Sequence, residues 1–191
     1  LPYRIPHQSI DCVLKNTHVP VMFWRSVGSS QNAFAVESFI DELAFTAKKD
    51  PLLFRRELLA NRPDFLHVLE VLAEKSDWSK PVPDRTGRGI SVHESFGTIV
   101  GEVIEASVSK SGEIRVERVV AALDCGHIVH PDQVKAQIES GIIYGLSAAL
   151  YGEITIKNGR VEQSNFDTYP VVRQVDCPSI EVHFALSGGT K

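Results

Sequence analysis

The sequence predicts an α+β fold, with N-terminal helices followed by antiparallel β-hairpins and one long helix packed on the sheet. Three observations carry this expectation. Apolar residues recur at spacings of three and four between positions 34 and 75. Residues rich in Val and Ile then alternate across 89–123, and the helical spacing returns over 132–150. The 191 residues suit one ordinary domain, or two small ones sharing a core. Hydrophobic residues make up 43% and charged residues 23%, which argues against intrinsic disorder.

Residues 1–30 read as irregular, interrupted by Pro2, Pro6 and Pro20, with a short apolar run over 19–24. The first helix presents Phe34, Val36, Phe39, Ile40, Leu43, Ala44 and Ala47. Ser30 or Asn32 is its expected cap, and Asp50-Pro51 its stop. A second helix starts at Pro51, a favoured first-turn residue, and carries Leu52, Leu53, Phe54, Leu58 and Leu59. A third covers 64–75 with Phe65, Leu66, Val68, Leu69, Val71 and Leu72 as core candidates. Pro81, Pro83, Gly87 and many charges make 77–89 read as a linker, between a loop-plus-helical part over 1–76 and an α+β part over 90–191.

Beyond that stretch, 89–110 is β-rich, Ser111-Gly112 makes a turn, and 114–123 returns as the partner strand. The stretch 124–131 is a loop leading into the long helix. Gly141 and Gly145, four residues apart, cost helix stability there, so close packing against another backbone is the expected reason. Asn158-Gly159 between alternating residues is the strongest short hairpin signal in the chain. A last strand spans 180–186, and the tail 187–191 follows without a closing element.

Charge and motifs exclude several functions. Twenty Lys and Arg against 24 Asp and Glu give a net charge of −4, so no whole-chain basic field for nucleic acid exists. No apolar run is long enough for a transmembrane helix. The chain starts at Leu1 without a basic-then-apolar signal segment, which suggests a processed chain or a piece of something longer. Cys12, Cys125 and Cys177 are too few and too scattered for a disulfide framework and are expected as free thiols. Dinucleotide and phosphate glycine loops are absent, as is a nucleophile elbow, and His93-Glu94 lacks the second His of a zinc-protease helix because Gly97 stands there.

Four candidates for chemistry remain. Cys125, His127 and His130 share one loop and offer thiolate and imidazole ligands, but their spacing is not a standard zinc pattern and no fourth ligand is near; a polar strand-to-helix turn is the simpler reading. Cys125 and His127 also invite a nucleophile pair, without a visible third group to orient it. Glu37 and Asp41 share a helix face, which suits paired carboxylates or, more simply, a solvated face, and Arg55, Arg56 and Glu57 read as surface charges. Finally, Trp24-Arg25-Ser26-Val27-Gly28 places an arginine and small residues directly before a helix start, where unpaired backbone amides favour anions and oxo groups.

That last segment, Trp24-Arg25-Ser26-Val27-Gly28-Ser29-Ser30-Gln31 followed by Glu37, resembles the arginine loop of the molybdenum hydroxylases, the xanthine dehydrogenase and aldehyde oxidase superfamily. Asp124-Cys-Gly-His-Ile-Val-His-Pro131, Gln137-Ile-Glu139-Ser-Gly141, Thr168-Tyr169-Pro170 and Ile180-Glu181-Val182 resemble its later segments in the same order. The isoquinoline 1-oxidoreductase β-subunit type is the most similar branch, through Trp-Arg-Ser-Val-Gly, the stretch 32–44 and the run 145–150. The departures from the family pattern are Ser26 for Gly, Val27 for an aromatic, Ser30 for Pro, His130 for Asn and Ser140 for Gly; the first two match the isoquinoline branch.

The resemblance implies a fragment of the molybdopterin-binding domain of a large subunit holding a molybdopterin cytosine dinucleotide. Such a subunit hydroxylates N-heteroaromatic rings or oxidises aldehydes with water-derived oxygen, and passes electrons to a [2Fe-2S] small subunit. Trp24, Arg25, Ser26, Val27 and Gly28 would approach the molybdenum ligands largely through backbone, Gln31 would support that loop, and Gln137 would contact the pterin. No residue of this chain is assigned as catalytic. The cofactor would perform the chemistry and the protein would position it. The family's general-base glutamate, in Gly-Glu-Pro, would fall after Lys191, so the chain alone is expected to be inactive and to hold no cofactor. Substrate, electron acceptor and compartment, cytoplasmic or periplasmic in a bacterium, stay open. The rival readings are a free-standing α+β assembly module without cofactor and a small domain built on the Cys125, His127 and His130 metal site.

The reading frame that encodes this chain is expected to carry Gly-Glu-Pro shortly after Lys191 and Gln-Gly loops upstream of Leu1; sequencing the locus checks it, and a stop codon directly after Lys191 overturns the fragment reading.

Overall fold

The structure, a computed structural model, describes residues 1–16 and 18–189. Thr17, in the irregular opening stretch, and Thr190 and Lys191, in the tail, lie outside the described residues. The α+β expectation holds. Three helices, α1 (Ser29–Thr46), α2 (Pro51–Leu58) and α3 (Pro63–Lys75), precede the strands β1 (Thr86–Ser95), β2 (Thr98–Val108) and β3 (Ile114–Asp124). The long helix α4 (Pro131–Tyr151), a small hairpin of β4 (Ile156–Lys157) and β5 (Arg160–Val161), and β6 (Ser179–Phe184) complete the chain.

The main sheet has the order β1-β2-β3-β6. Its first three strands form an antiparallel meander, whereas β6 lies parallel to β3. A parallel neighbour needs a long crossover, and α4 with the β4–β5 hairpin supplies it. The segment 89–110, read from sequence as one β-rich stretch, is two strands folded at Phe96-Gly97, both with positive φ. Phe-Gly is not one of the usual hairpin dipeptides, so the turn carried no local signal. The stretch 77–89 is likewise no free linker: β1 already starts at Thr86, and the Arg88 guanidinium donates to the carbonyls of Asp77, Trp78 and Lys80 at 2.9–3.2 Å.

Helices cover both sheet faces. On one, Phe65, Val68, Leu69 and Leu72 of α3 pack on Ile90, Val92, Ile99, Val103, Val120 and Ala122. Gly101 permits the approach, since a Cβ there would stand 3.1 Å from Leu72 and Val68 side-chain carbons. On the other, Ile142 and Leu146 of α4 meet Val116, Val119 and Ala121. Strand alternation alone would send Val116 to the α3 side. The register shift after Glu105, which pairs with Arg118 while Ala106 pairs with Val116, inserts Glu117 and turns Val116 over.

Several sequence expectations need correction here. Ser30 and Asn32 do not cap α1; Gly28 occupies that position and no side chain caps the helix. Phe34 is 76% and Phe39 57% exposed, so α1 buries only a narrow stripe of Glu37, Ile40 and Ala44, flanked by Val36 and Leu43. A Cβ at Gly141 or Gly145 would meet nothing within 4 Å among the described residues, so no backbone packs there.

The largest correction concerns Arg55 and Glu37, expected on the surface. Arg55 is fully buried and Glu37 only 6% exposed. The Arg55 guanidinium donates to Glu37 Oε2 at 3.1 Å, to the Glu37 carbonyl at 3.1 Å, to Asp41 Oδ1 at 2.5 Å and to the Pro51 carbonyl at 3.2 Å. Glu37 also accepts from the Tyr3 hydroxyl at 2.7 Å and the Val92 amide at 3.0 Å. Burial alone would make Arg55 release its proton more readily, but Glu37, Tyr3 and Asp41 outweigh it, and its pKa is raised. Burial first, and the Glu37 carboxylate second, push the Tyr3 phenol up, so it stays protonated and donates.

Replacing Arg55 by Met strands the Glu37 carboxylate and is expected to cost about 3–5 kcal/mol of unfolding free energy. The double variant E37Q/R55M, which removes both charges, is expected to recover more than half of that loss in urea melts. Strict additivity of the two single variants would show that the pair is not coupled.

Candidate functional site

The arginine loop leads into the uncapped start of α1. Its turn is closed by Val27 N–H donating to the Trp24 carbonyl at 3.0 Å and Ser29 N–H donating to the Ser26 carbonyl at 2.9 Å, with the Ser26 and Ser30 hydroxyls in contact. Ser26 has φ 80° and Val27 φ 55°. The left-handed region suits glycine, the residue of the family pattern at the position of Ser26. For a β-branched residue such as Val27 it costs roughly 1–2 kcal/mol. Trp24, Arg25 and Val27 are exposed, and Gln31 stands exposed on the first turn of α1, without a side-chain hydrogen bond to the loop among the described residues.

Among the described residues, two hydrogen bonds fix this loop and the helix start it leads into to the rest of the fold. The Ser29 hydroxyl meets that of Ser95, at the end of β1, at 2.9 Å. The Arg25 guanidinium donates to Gln137 Oε1, in α4, at 3.0 Å. Residues 112 positions apart in sequence, each singled out as cofactor-binding, thus touch.

The strand register shows what else lies at this end of the sheet. Ser95 pairs with Thr98, and Ile99 with Asp124, so the β1–β2 turn and the end of β3 are neighbours. Asp124 is fully buried. Its carboxylate accepts from the Gly126 amide at 3.1 Å and from the Ser187 hydroxyl. The loop after β3 and the segment after β6 are thereby tied together. His130 Nδ1 accepts from the Gln133 amide at 3.2 Å and caps α4. That role explains a histidine before Pro131 without a metal. Among the described residues no group of three or more His, Cys, Asp or Glu side chains is placed to hold a metal ion, so the Cys125, His127 and His130 reading has no geometric support. Glu37 and Asp41 share Arg55 rather than forming an acid–base pair.

Sequence reasoning gave no role to Ser29, Ser95 or Glu102. The serines carry no motif and become visible only when α1 is laid along β1. Glu102 did leave a signal: it occupies the register of Val100 and Ile104, on the α4 face opposite Ser91 and Ala121, where an apolar residue is expected. Burial raises its carboxyl pKa.

The family of molybdopterin cofactor-binding domains matches residues 59–178 of the chain. The beta subunit of isoquinoline 1-oxidoreductase from Brevundimonas diminuta is 36% identical over 184 residues, covering 94% of this chain and 24% of that protein. A membrane-bound aldehyde dehydrogenase [pyrroloquinoline-quinone] of Gluconacetobacter polyoxogenes is 32% identical over 183 residues, covering 85% of this chain and 24% of that protein. A nicotinate dehydrogenase subunit of Pseudomonas putida is 28% identical over 199 residues, covering 95% of this chain and 17% of that protein. The chain therefore spans a quarter or less of the length of these relatives.

Val27→Gly trades roughly 1–2 kcal/mol of left-handed strain against roughly 0.5–1 kcal/mol of glycine chain entropy. A net gain of about 0.5–1 kcal/mol in unfolding free energy is expected from denaturant melts, and a loss would show that Val27 is not strained.

Proposed function

The chain belongs to the family of molybdopterin cofactor-binding domains, and on that premise we propose that it forms part of the cofactor-binding large subunit of a molybdenum-dependent oxidoreductase. The observation that carries this reading is the Arg25–Gln137 hydrogen bond. It joins the two segments that separately resemble cofactor-contacting segments of the molybdenum hydroxylases, in a fold where nothing in the local sequence required them to meet.

The donor set fits the cofactor. Three kinds of donor sit together: the uncapped first turn of α1, the Arg25 guanidinium and the amide NH2 of Gln137, whose carbonyl oxygen already accepts from Arg25. No acidic residue stands in that first turn to repel an anion. Such a set suits a ligand rich in acceptor oxygens, as a pterin dinucleotide with its phosphates and metal oxo groups is. In the proposed roles, Trp24 to Gly28 approach the metal ligands through backbone, Gln31 supports that loop from the first turn of α1, and Gln137 contacts the pterin while it orients Arg25. When bound, the cofactor supplies the redox centre for adding water-derived oxygen to a carbon of the substrate. The chain's own residues bind and orient it.

The finer assignments are part of the same proposal. The cofactor is the cytosine dinucleotide form, the substrates are N-heteroaromatic rings or aldehydes, and a [2Fe-2S] small subunit and the rest of a large subunit are the partners. The relatives named as isoquinoline 1-oxidoreductase and nicotinate dehydrogenase subunits support the ring substrates. The aldehyde dehydrogenase relative is named for pyrroloquinoline-quinone, so molybdenum rests on the family match and the donor set. The share of each relative covered supports activity only as part of a longer protein.

In the whole protein, Arg25→Ala and Gln137→Ala are each expected to lower cofactor affinity about ten- to hundredfold. Metal analysis and release of cytidine monophosphate from the denatured protein measure this. Full molybdenum content together with unchanged turnover overturns the reading.

A further inference from the structure

We propose that Ser95 is a positioning residue: through Ser29 it pins the start of α1 to the sheet and so sets where the arginine loop stands. This rests on the reading of that loop as cofactor-binding, and deepens it.

Among the described residues β1 is an edge strand that pairs only with β2, so one side of its backbone is unpaired by any strand. α1 lies along that side and is held at two points, Ser29 to Ser95 and Glu37 to the Val92 amide. From 29 to 37 the helix advances about 12 Å, and from 95 back to 92 the strand covers about 10 Å. The two spacings match, so the helix runs antiparallel beside the strand with a tie near each end of the shared length. Arg55 makes the Glu37 tie rigid. Among the described residues nothing comparable backs the Ser95 tie, which is a single hydroxyl pair.

Without that pair, the nearest side-chain hydrogen bond from α1 to the sheet among the described residues is at Glu37, two helical turns away, and α1 begins to pack on the core only at Val36, Phe34 being largely exposed. The loop hangs from the same turn, because Ser29 N–H closes it on the Ser26 carbonyl. Its other tie, Arg25 to Gln137, runs through a long flexible side chain. Ser95 thus holds the backbone of the loop, whereas Gln137 holds only the tip of its arginine.

The test compares Ser95→Ala and Ser95→Thr in the whole protein, loaded and stripped of cofactor. Hydrogen exchange of the Val27 and Ser29 amides is one readout, and metal content the other. Ser95→Ala is expected to speed exchange at those amides about fivefold, the effect of one lost hydrogen bond on local opening, with α3 unchanged. Ser95→Thr, which keeps the hydroxyl, is expected to restore it. Unchanged exchange in Ser95→Ala overturns the pin, as does acceleration that Thr fails to rescue or that extends equally into α3. Faster exchange at full metal content upholds the pin and instead counts against the loop as a cofactor contact.

Discussion

A buried arginine–glutamate pair organises the N-terminal half of this fold. Charges taken out of water are costly unless every donor and acceptor is used, and Glu37 and Arg55 come close to that condition. Satisfying them requires the N-terminal segment to deliver Tyr3, α1 to deliver Glu37 and Asp41, α2 to deliver Arg55 and the Pro51 carbonyl, and β1 to present the Val92 amide. Hydrophobic contact would tolerate a range of helix placements. This set of bonds tolerates one, and the rest of the arrangement, α1 along the edge of β1 and the arginine loop at its start, depends on it.

The sheet then decides what that loop meets. β3 and β6 are parallel, so their carboxyl ends lie together, and the register places the β1–β2 turn beside them. α4 begins a few residues after β3, bringing Gln137 back over the same end. The start of α1, the β1–β2 turn, the stretch from β3 into α4 and the end of β6 converge there because strand direction sends them there. Asp124, bound to Ser187, and the two serines on α1 and β1 act as clasps between those segments.

Much of the architecture was legible from spacing. All three N-terminal helices, the 114–124 strand, the long helix and the Asn158-Gly159 hairpin follow from apolar period and turn residues. What escaped has a common physical cause, in that it depends on a partner far away in sequence. Glu37, Asp41 and Arg55 look like surface charges because a helical wheel cannot show that two helices will share them. Gly141 and Gly145 suggested a close neighbour that the described residues do not provide. The Phe96-Gly97 turn has no local signature and is imposed by pairing of the strands on either side. At the candidate site, the arginine loop, Gln31 and Gln137 were visible as motif residues, whereas Ser95 emerges only once β1 has an edge for α1 to cover.

The parallel placement of β6 also bears on how the chain reaches this state. The meander β1 to β3 is local and can form as soon as its residues are available, resting on α3. β6 cannot join it until the excursion through residues 125–178 has closed, and that closure costs chain entropy before any strand pairing repays it. For that interval β3 carries an open flank rich in Val and Ala, the kind of flank that adds a foreign strand. The order of synthesis thus leaves the arginine loop waiting on β6: α1 can be in place early, while the tie between Asp124 and Ser187 forms late.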